Sequence, residues 1–171
     1  VPGTGRVNVK FYPGIVSQAI DGLAGMLHEP YGCFEQTSSV NYPNVLVLDY
    51  LRATNQQSPE IALQAEFYIN AGYQRLPTFE VPGSPCGFSL FGSPPPETML
   101  TAYGLMQFAD MAKVHFVDPA LMERTAQFLI ERQQSNGAWN PQGMAVHVPG
   151  DDNAGDVATT AYMVWALADA G

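Results

Sequence analysis

The chain has 171 residues, which suits one domain or a piece of a larger one, and 46% of them are hydrophobic, enough to bury a core. Seven Lys and Arg set against sixteen Asp and Glu give a net charge of −9, which argues against nucleic acid and anionic membrane as partners, because both are gripped by basic side chains. Charged residues make up 13%, about half the usual share, so much of the surface is expected to lie under neighbouring domains or further chain.

No apolar run is long enough to span a bilayer. The first residues, VPGTGRVNVKFYPG, lack the basic start and apolar core of a signal peptide. A domain cut from a longer precursor would lack them too, so this does not place the protein in the cytosol. Arg6 to Phe11 alternate polar and apolar residues and read as a short strand or extended lead-in, residues 1–12, arriving from an upstream domain. After Pro13 the pattern turns helical, and six helices are predicted at about 14–28, 36–54, 59–76, 97–113, 119–134 and 155–170. The first carries Ile15, Ala19, Leu23, Met26 and Leu27 on one face. Pro43 falls inside the second, where a kink is expected. The third and fifth open on Ser58-Pro59 and Asp118-Pro119, a cap residue followed by a first-turn proline.

Two Pro- and Gly-rich interruptions, 77–96 and 136–154, break the helices. Each precedes a similar segment: TAYGLMQFADMA at 101–112 and TAYMVWALADAG at 160–171 align without a gap, 59 residues apart. A Gly-aromatic loop comes before each, Gly87-Phe88 and Gly137-Ala138-Trp139. This is an internal repeat built on a helical hairpin. Phe128, Leu129, Gln133, Gly137 and Trp139 resemble the Gln–Trp repeat of the alpha/alpha toroid proteins, among them the squalene and hopene cyclases. There the Gln caps a helix end and the Trp packs beneath it. The expected fold is all-α, an alpha/alpha toroid of hairpins. Six helices make three hairpins, about half of a closed ring, so residues 13–171 are expected to be part of a larger toroid.

The chemistry is concentrated at Gly32-Cys33-Phe34-Glu35-Gln36. Gly32 lets the backbone turn tightly, and Cys33 and Gln36, three apart at the mouth of a helix, are close enough for their side chains to meet. A Gln carboxamide carbon is an electrophile. If the Cys33 sulfur displaces ammonia from Gln36, an internal thioester results, a stored acylating agent that amines, hydroxyls or water can open. Spacing alone also admits a buried Cys beside a capping Gln. The second cysteine, Cys86, lies in an apolar loop and reads as a free buried thiol, since nothing in the spacing demands a disulfide. His28, His115 and His147 show no metal-ligand spacing, and no cofactor or metal is expected.

The stretch PYGCFEQTSSVNYP, residues 30–43, resembles the thioester signature of the alpha-2-macroglobulin and complement family, above all its bacterial members. Gly32, Cys33, Glu35 and Gln36 match the core Gly-Cys-x-Glu-Gln; Pro30, Thr37, Ser38 and Pro43 match its flanks. CGFSLFGSPPPETMLTAYGL, from Cys86 onward, resembles a second family segment. The resemblance implies that Cys33 carries the acyl group and Gln36 donates it, with Glu35 adding hydrogen bonds or complementing the helix dipole. It also implies a shield against water, from aromatic residues and an adjacent β-sandwich. Tyr31, Phe34, Tyr42 and Met26 are candidates for its near wall, each equally readable as ordinary core. With no such neighbour, the bond is expected to be absent from the isolated chain. His147 follows Cys33 by 114 residues in GAWNPQGMAVH, which resembles the segment where complement-like members keep a histidine that accepts the acyl group and turns transfer toward hydroxyls. The alternative is a solvated loop histidine.

The implied function is covalent capture of an attacking protease, or of surface amines and hydroxyls, by a single-turnover trap in a periplasmic or extracellular parent. Three rivals stand beside it. A terpene cyclase would need an acidic cluster, for which only Asp151-Asp152 offers itself. A hydrolase would use Cys33 and His147 as a dyad. A packing module would carry a thioester that never forms.

Overall fold

The computed structural model describes residues 3, 5, 7–12, 14–55, 58–83, 86–140 and 152–171, with backbone alone at 16–17 and 152–156. Six α-helices run α1 (Ile15–Ala24), α2 (Phe34–Ala53), α3 (Pro59–Arg75), α4 (Thr98–Ala112), α5 (Pro119–Ile130) and α6 (Asp152–Ala170). A 3₁₀ turn, Leu76–Phe79, follows α3 directly. The six predicted helices are all present and the chain is all-α. Among the described residues there is no strand, only an isolated antiparallel bridge between Glu80 and Phe88.

Of the two forms expected for this segment, a short strand or an extended lead-in, the described residues 7–11 form no strand. Described residues 7–12 have no regular structure and stand in solvent, with Val7 87% and Phe11 90% exposed. Alternation alone cannot make a strand without a neighbouring edge to pair with. This lead-in is tethered instead by side chains: Lys10 Nζ to Asp21 at 2.9 Å and the Tyr12 hydroxyl to Asp21 at 2.6 Å. The first helix also ends four residues earlier than periodicity suggests. At Gly25 and Met26 the chain turns, and beyond it Asn44 of α2 takes hold of His28, accepting its N–H at 3.2 Å and donating to its carbonyl at 2.9 Å. Met26 and Leu27 thus lie past the helix; Leu27 is buried and Met26 half exposed.

α2, α4 and α6 stand side by side, since α4 packs on both of its companions. α3 packs on α2, and α5 lies against α4 and α6. α4 sits at the centre and is buried on almost every side: Thr98, Thr101, Ala102, all of Gly104 to Ala109, and Met111 are buried. It joins two apolar clusters. One unites α2, α3 and the 76–88 segment around Phe34, Leu48, Ile69, Phe88 and Phe108. The other unites α4, α5 and α6 around Leu105, Phe128, Trp139 and Met163. α2 continues through Pro43 to Ala53.

The repeat is visible in hydrogen bonds. Thr101 accepts the Phe88 N–H on its hydroxyl at 2.9 Å, and Thr160, its counterpart one period later, accepts the Trp139 N–H at 3.1 Å. Each loop is thereby fastened to the helix that follows it, in the first turn of α4 and in the third turn of α6. The Gln–Trp segment keeps the packing its resemblance implies but exchanges the roles: Gln133 holds the loop, and Trp139 caps the helix end. Gln133 Nε2 donates to the Gly137 carbonyl at 3.0 Å, and the buried Trp139 ring donates from Nε1 to the Leu129 carbonyl at 2.7 Å, satisfying the last turn of α5. At the other end of α5, Asp118 Oδ1 accepts the Ala120 N–H at 3.0 Å, an N-cap with Pro119 behind it. Ser58 opens α3 without such a bond.

Candidate functional site at the mouth of α2

α2 begins at Phe34 with Cys33 as its N-cap residue, in extended conformation. Gly32 before it has φ +79°, a left-handed conformation that costs a glycine little and other residues more. The Gln36 side chain, at the third helical position, folds back in a capping-box arrangement: Oε1 accepts the Cys33 backbone N–H at 3.2 Å. The Cys33 sulfur takes the place of the usual capping hydroxyl. A Cβ on Gly32 would lie 2.1 Å from Gln36 Oε1 and 2.9 Å from its carboxamide carbon. The carboxamide therefore occupies the space that a side chain at position 32 would fill. Cys33 is half-buried, while Glu35 and Gln36 are exposed, so the carboxamide is open to an incoming molecule.

Three contacts hold this turn. The Phe34 N–H donates to the Leu90 carbonyl at 3.0 Å, tying the helix mouth to the first Pro- and Gly-rich loop. The buried Thr37 hydroxyl donates to the Tyr31 carbonyl at 3.1 Å. Arg75, in the last turn of α3, donates to the Gly32 carbonyl from Nη2 at 2.5 Å and Nε at 3.2 Å, and its Nε also reaches the Thr37 hydroxyl at 3.2 Å. Arg75 was not among the residues marked by sequence. Nothing in local pattern links it to Gly32, 43 positions away. Thr37, which the sequence marks only through its place in the signature, brackets Arg75 and Tyr31 with its hydroxyl.

The shield candidates are widely separated in character. Phe34 is wholly buried, edge-on to Phe79 at 6.0 Å and tilted against Phe88 at 5.0 Å. Tyr42 is half-buried, its hydroxyl donating to Asp110 and its ring 6.0 Å from Tyr103. Burial first, then the hydrogen bond to the Asp110 carboxylate, pushes the Tyr42 hydroxyl far above its ordinary pKa. Tyr31 and Met26 are exposed, at 62% and 47%. Glu35 stands in the first turn of α2, where a negative charge complements the helix dipole.

His147 and Asp151 lie outside the described residues; Asp152 begins α6. His115 stacks edge-on to Tyr73 at 5.5 Å, and burial lowers its pKa. Among the described residues no group of His, Cys, Asp and Glu has the makings of a metal site, and no helix is long and apolar enough to cross a membrane.

Both cysteines are free. Cys86 is 1% exposed, accepts the Thr125 hydroxyl at 3.1 Å, and has its pKa raised to about 11, chiefly by burial. At a pH of about 8 roughly a thousandth of it is thiolate. Cys86 should thus remain unmodified by iodoacetamide in the folded chain and react fully in denaturant, as peptide mass mapping would read. Modification under native conditions would show that the loop around it opens.

The sequence profile of the A-macroglobulin TED domain matches residues 8–171. Ovostatin of Gallus gallus is 29% identical over 176 residues, covering 100% of this chain, and alpha-2-macroglobulin-like protein 1 of Mus musculus is 28% identical over 174 residues, again covering 100%. The chain spans only 12% of the length of either relative. Among solved structures, native alpha-2-macroglobulin from Escherichia coli, spanning domain MG7 to the C-terminus, superposes with a TM-score of 0.59 at 22% identity, covering 90% of this chain and 23% of that one. The fold is thus shared with that protein, and with the profile matching nearly end to end, the chain belongs to the A-macroglobulin TED domain family.

Proposed function

We propose that Cys33 and Gln36 condense to an internal thioester and that the acyl group is then passed to a nucleophile on another molecule, making the domain a single-use covalent trap. The observation that carries this reading is the Gln36 carboxamide folded back over Gly32 onto the Cys33 N–H, on the same turn as the sulfur. In the forming step the Cys33 sulfur attacks Gln36 Cδ. A carbon–sulfur bond forms, the carbon–nitrogen bond breaks, and ammonia leaves with the thiol proton. In the capture step an amine or hydroxyl takes the acyl carbon, and Cys33 is released as a thiol. Family membership and the matched core Gly32, Cys33, Glu35 and Gln36 support both steps.

The target class is a protease or a surface bearing amines or hydroxyls, and His147 is the proposed acyl relay toward hydroxyls. Residues 1–12 are read as a lead-in from a preceding domain, and 13–171 as part of a larger toroid whose companions cover the exposed mouth of α2. Its family membership supports a parent that works in the periplasm or outside the cell. The test uses the full-length parent. Methylamine should add its mass at Gln36 and release one new thiol per chain, assignable to Cys33 by peptide mapping. A parent that releases no thiol, with Gln36 still an amide, would sink the thioester. Sustained turnover of an ester substrate, abolished by His147→Ala, would instead favour a Cys33–His147 hydrolase.

A further inference from the structure

One peptide unit at the site is gripped from both ends. The carbonyl of Gly32 accepts two N–H groups from Arg75, at 2.5 and 3.2 Å. The N–H of the same peptide, belonging to Cys33, donates to Gln36 Oε1 at 3.2 Å. Among the described residues it is the sole hydrogen-bond donor to that oxygen. The neighbouring Phe34 N–H is unavailable, because it is committed to Leu90.

We infer that the Cys33 N–H is the oxyanion donor for thioester formation and that Arg75 is the positioning residue that aims and polarises it. The inference rests on the thioester reading above. When the Cys33 sulfur adds to Gln36 Cδ, negative charge develops on Oε1, where this N–H already points. As ammonia departs the charge returns to the carbonyl. A guanidinium on the far side of the same amide withdraws electron density from the carbonyl and makes the N–H a stronger donor, as in any hydrogen-bonded chain. It also fixes the plane of a peptide that follows a left-handed glycine. Arg75 touches no reacting atom. Its planar fork makes two bonds to one carbonyl while Nε reaches Thr37, a geometry that Lys cannot reproduce. The guanidinium also lies 5.7 Å from the centre of the Phe79 ring, which limits its freedom to swing away.

The test is the yield of methylamine-releasable thiol in the full-length parent at a fixed short time after synthesis. It compares wild type with Arg75→Lys, Arg75→Gln and Arg75→Met, with circular dichroism and thermal melting read in parallel. The expected order is Arg, Lys, Gln, Met, with Met reduced on the order of tenfold to a hundredfold while helix content is retained. Partial rescue by Lys separates this role from bulk packing, which Met would serve as well as Lys. A folded Met or Gln variant with wild-type yield overturns the inference; should Met not fold, Gln decides. If the wild type itself releases no thiol, it is the thioester reading that has failed.

Discussion

Phe34→Ala is expected to lower the unfolding free energy by about 3–5 kcal/mol, because it empties a fully buried aromatic site. Phe34 has no accessible surface, and its ring is enclosed by Phe79, Phe88 and the bare Cα of Gly104, where an added Cβ would lie 2.7 Å from Phe34 Cζ. Glycine at position 104 lets the ring sink against α4, so a cavity left there is walled by a helix buried on nearly all sides and cannot collapse easily. Urea unfolding followed by circular dichroism would measure the loss. Leu46→Ala on the same helix is the comparison: Leu46 is 50% exposed, and its truncation should change stability by no more than about 0.5 kcal/mol. A Phe34→Ala loss as small as that of Leu46 would mean that Phe34 does not anchor the helix mouth. The same substitution should depress thioester formation, because Phe34 directly follows Cys33 and its burial sets how the first turn of α2 sits.

Much of this architecture was legible in the sequence, and the reasons are local. Helical periodicity, Pro at first-turn positions and Gly-rich breaks located six helices, and the 59-residue echo of Thr-Ala-Tyr located the repeat. Thr101 and Thr160 turn out to perform the same hydrogen-bonding task, so that echo recorded a structural need. What was not legible depends on tertiary contact. The alternation at Arg6–Phe11 looked like a strand because period-two patterning says nothing about whether a partner edge exists. The first helix stopped early because Asn44, 16 residues away, holds the backbone of His28. At the site, Cys33 and Gln36 stood out through spacing and resemblance, but Arg75 did not. Its partner is a backbone carbonyl, which has no residue type to recognise, in a loop brought near only when α3 packs on α2.

Gly32→Ala is expected to suppress thioester formation far more than it destabilises the fold. Two separate effects act at this position. The φ of +79° costs a non-glycine residue roughly 1–2 kcal/mol. The added methyl would also lie 2.1 Å from Gln36 Oε1 and 2.9 Å from both Gln36 Cβ and Cδ, distances that real Cβ atoms do not tolerate. The carboxamide can escape only by rotating off the Cys33 N–H, which removes the one hydrogen bond holding the electrophile over the turn. Gly83→Ala isolates the first effect from the second. Gly83 has a comparable φ of +77°, but a Cβ there meets nothing within 4 Å. Both variants should therefore share the backbone-strain loss in thermal melts, and Gly32→Ala should lose more, because Gln36 Cβ cannot rotate away and the bond to the Cys33 N–H is given up. Only Gly32→Ala should lose methylamine-releasable thiol, falling to the background seen with Cys33→Ala, while Gly83→Ala keeps the wild-type yield. Equal yields from the two glycine variants would break the link between the turn and the chemistry, since the carboxamide would then reach the sulfur from some position that a methyl at residue 32 does not block.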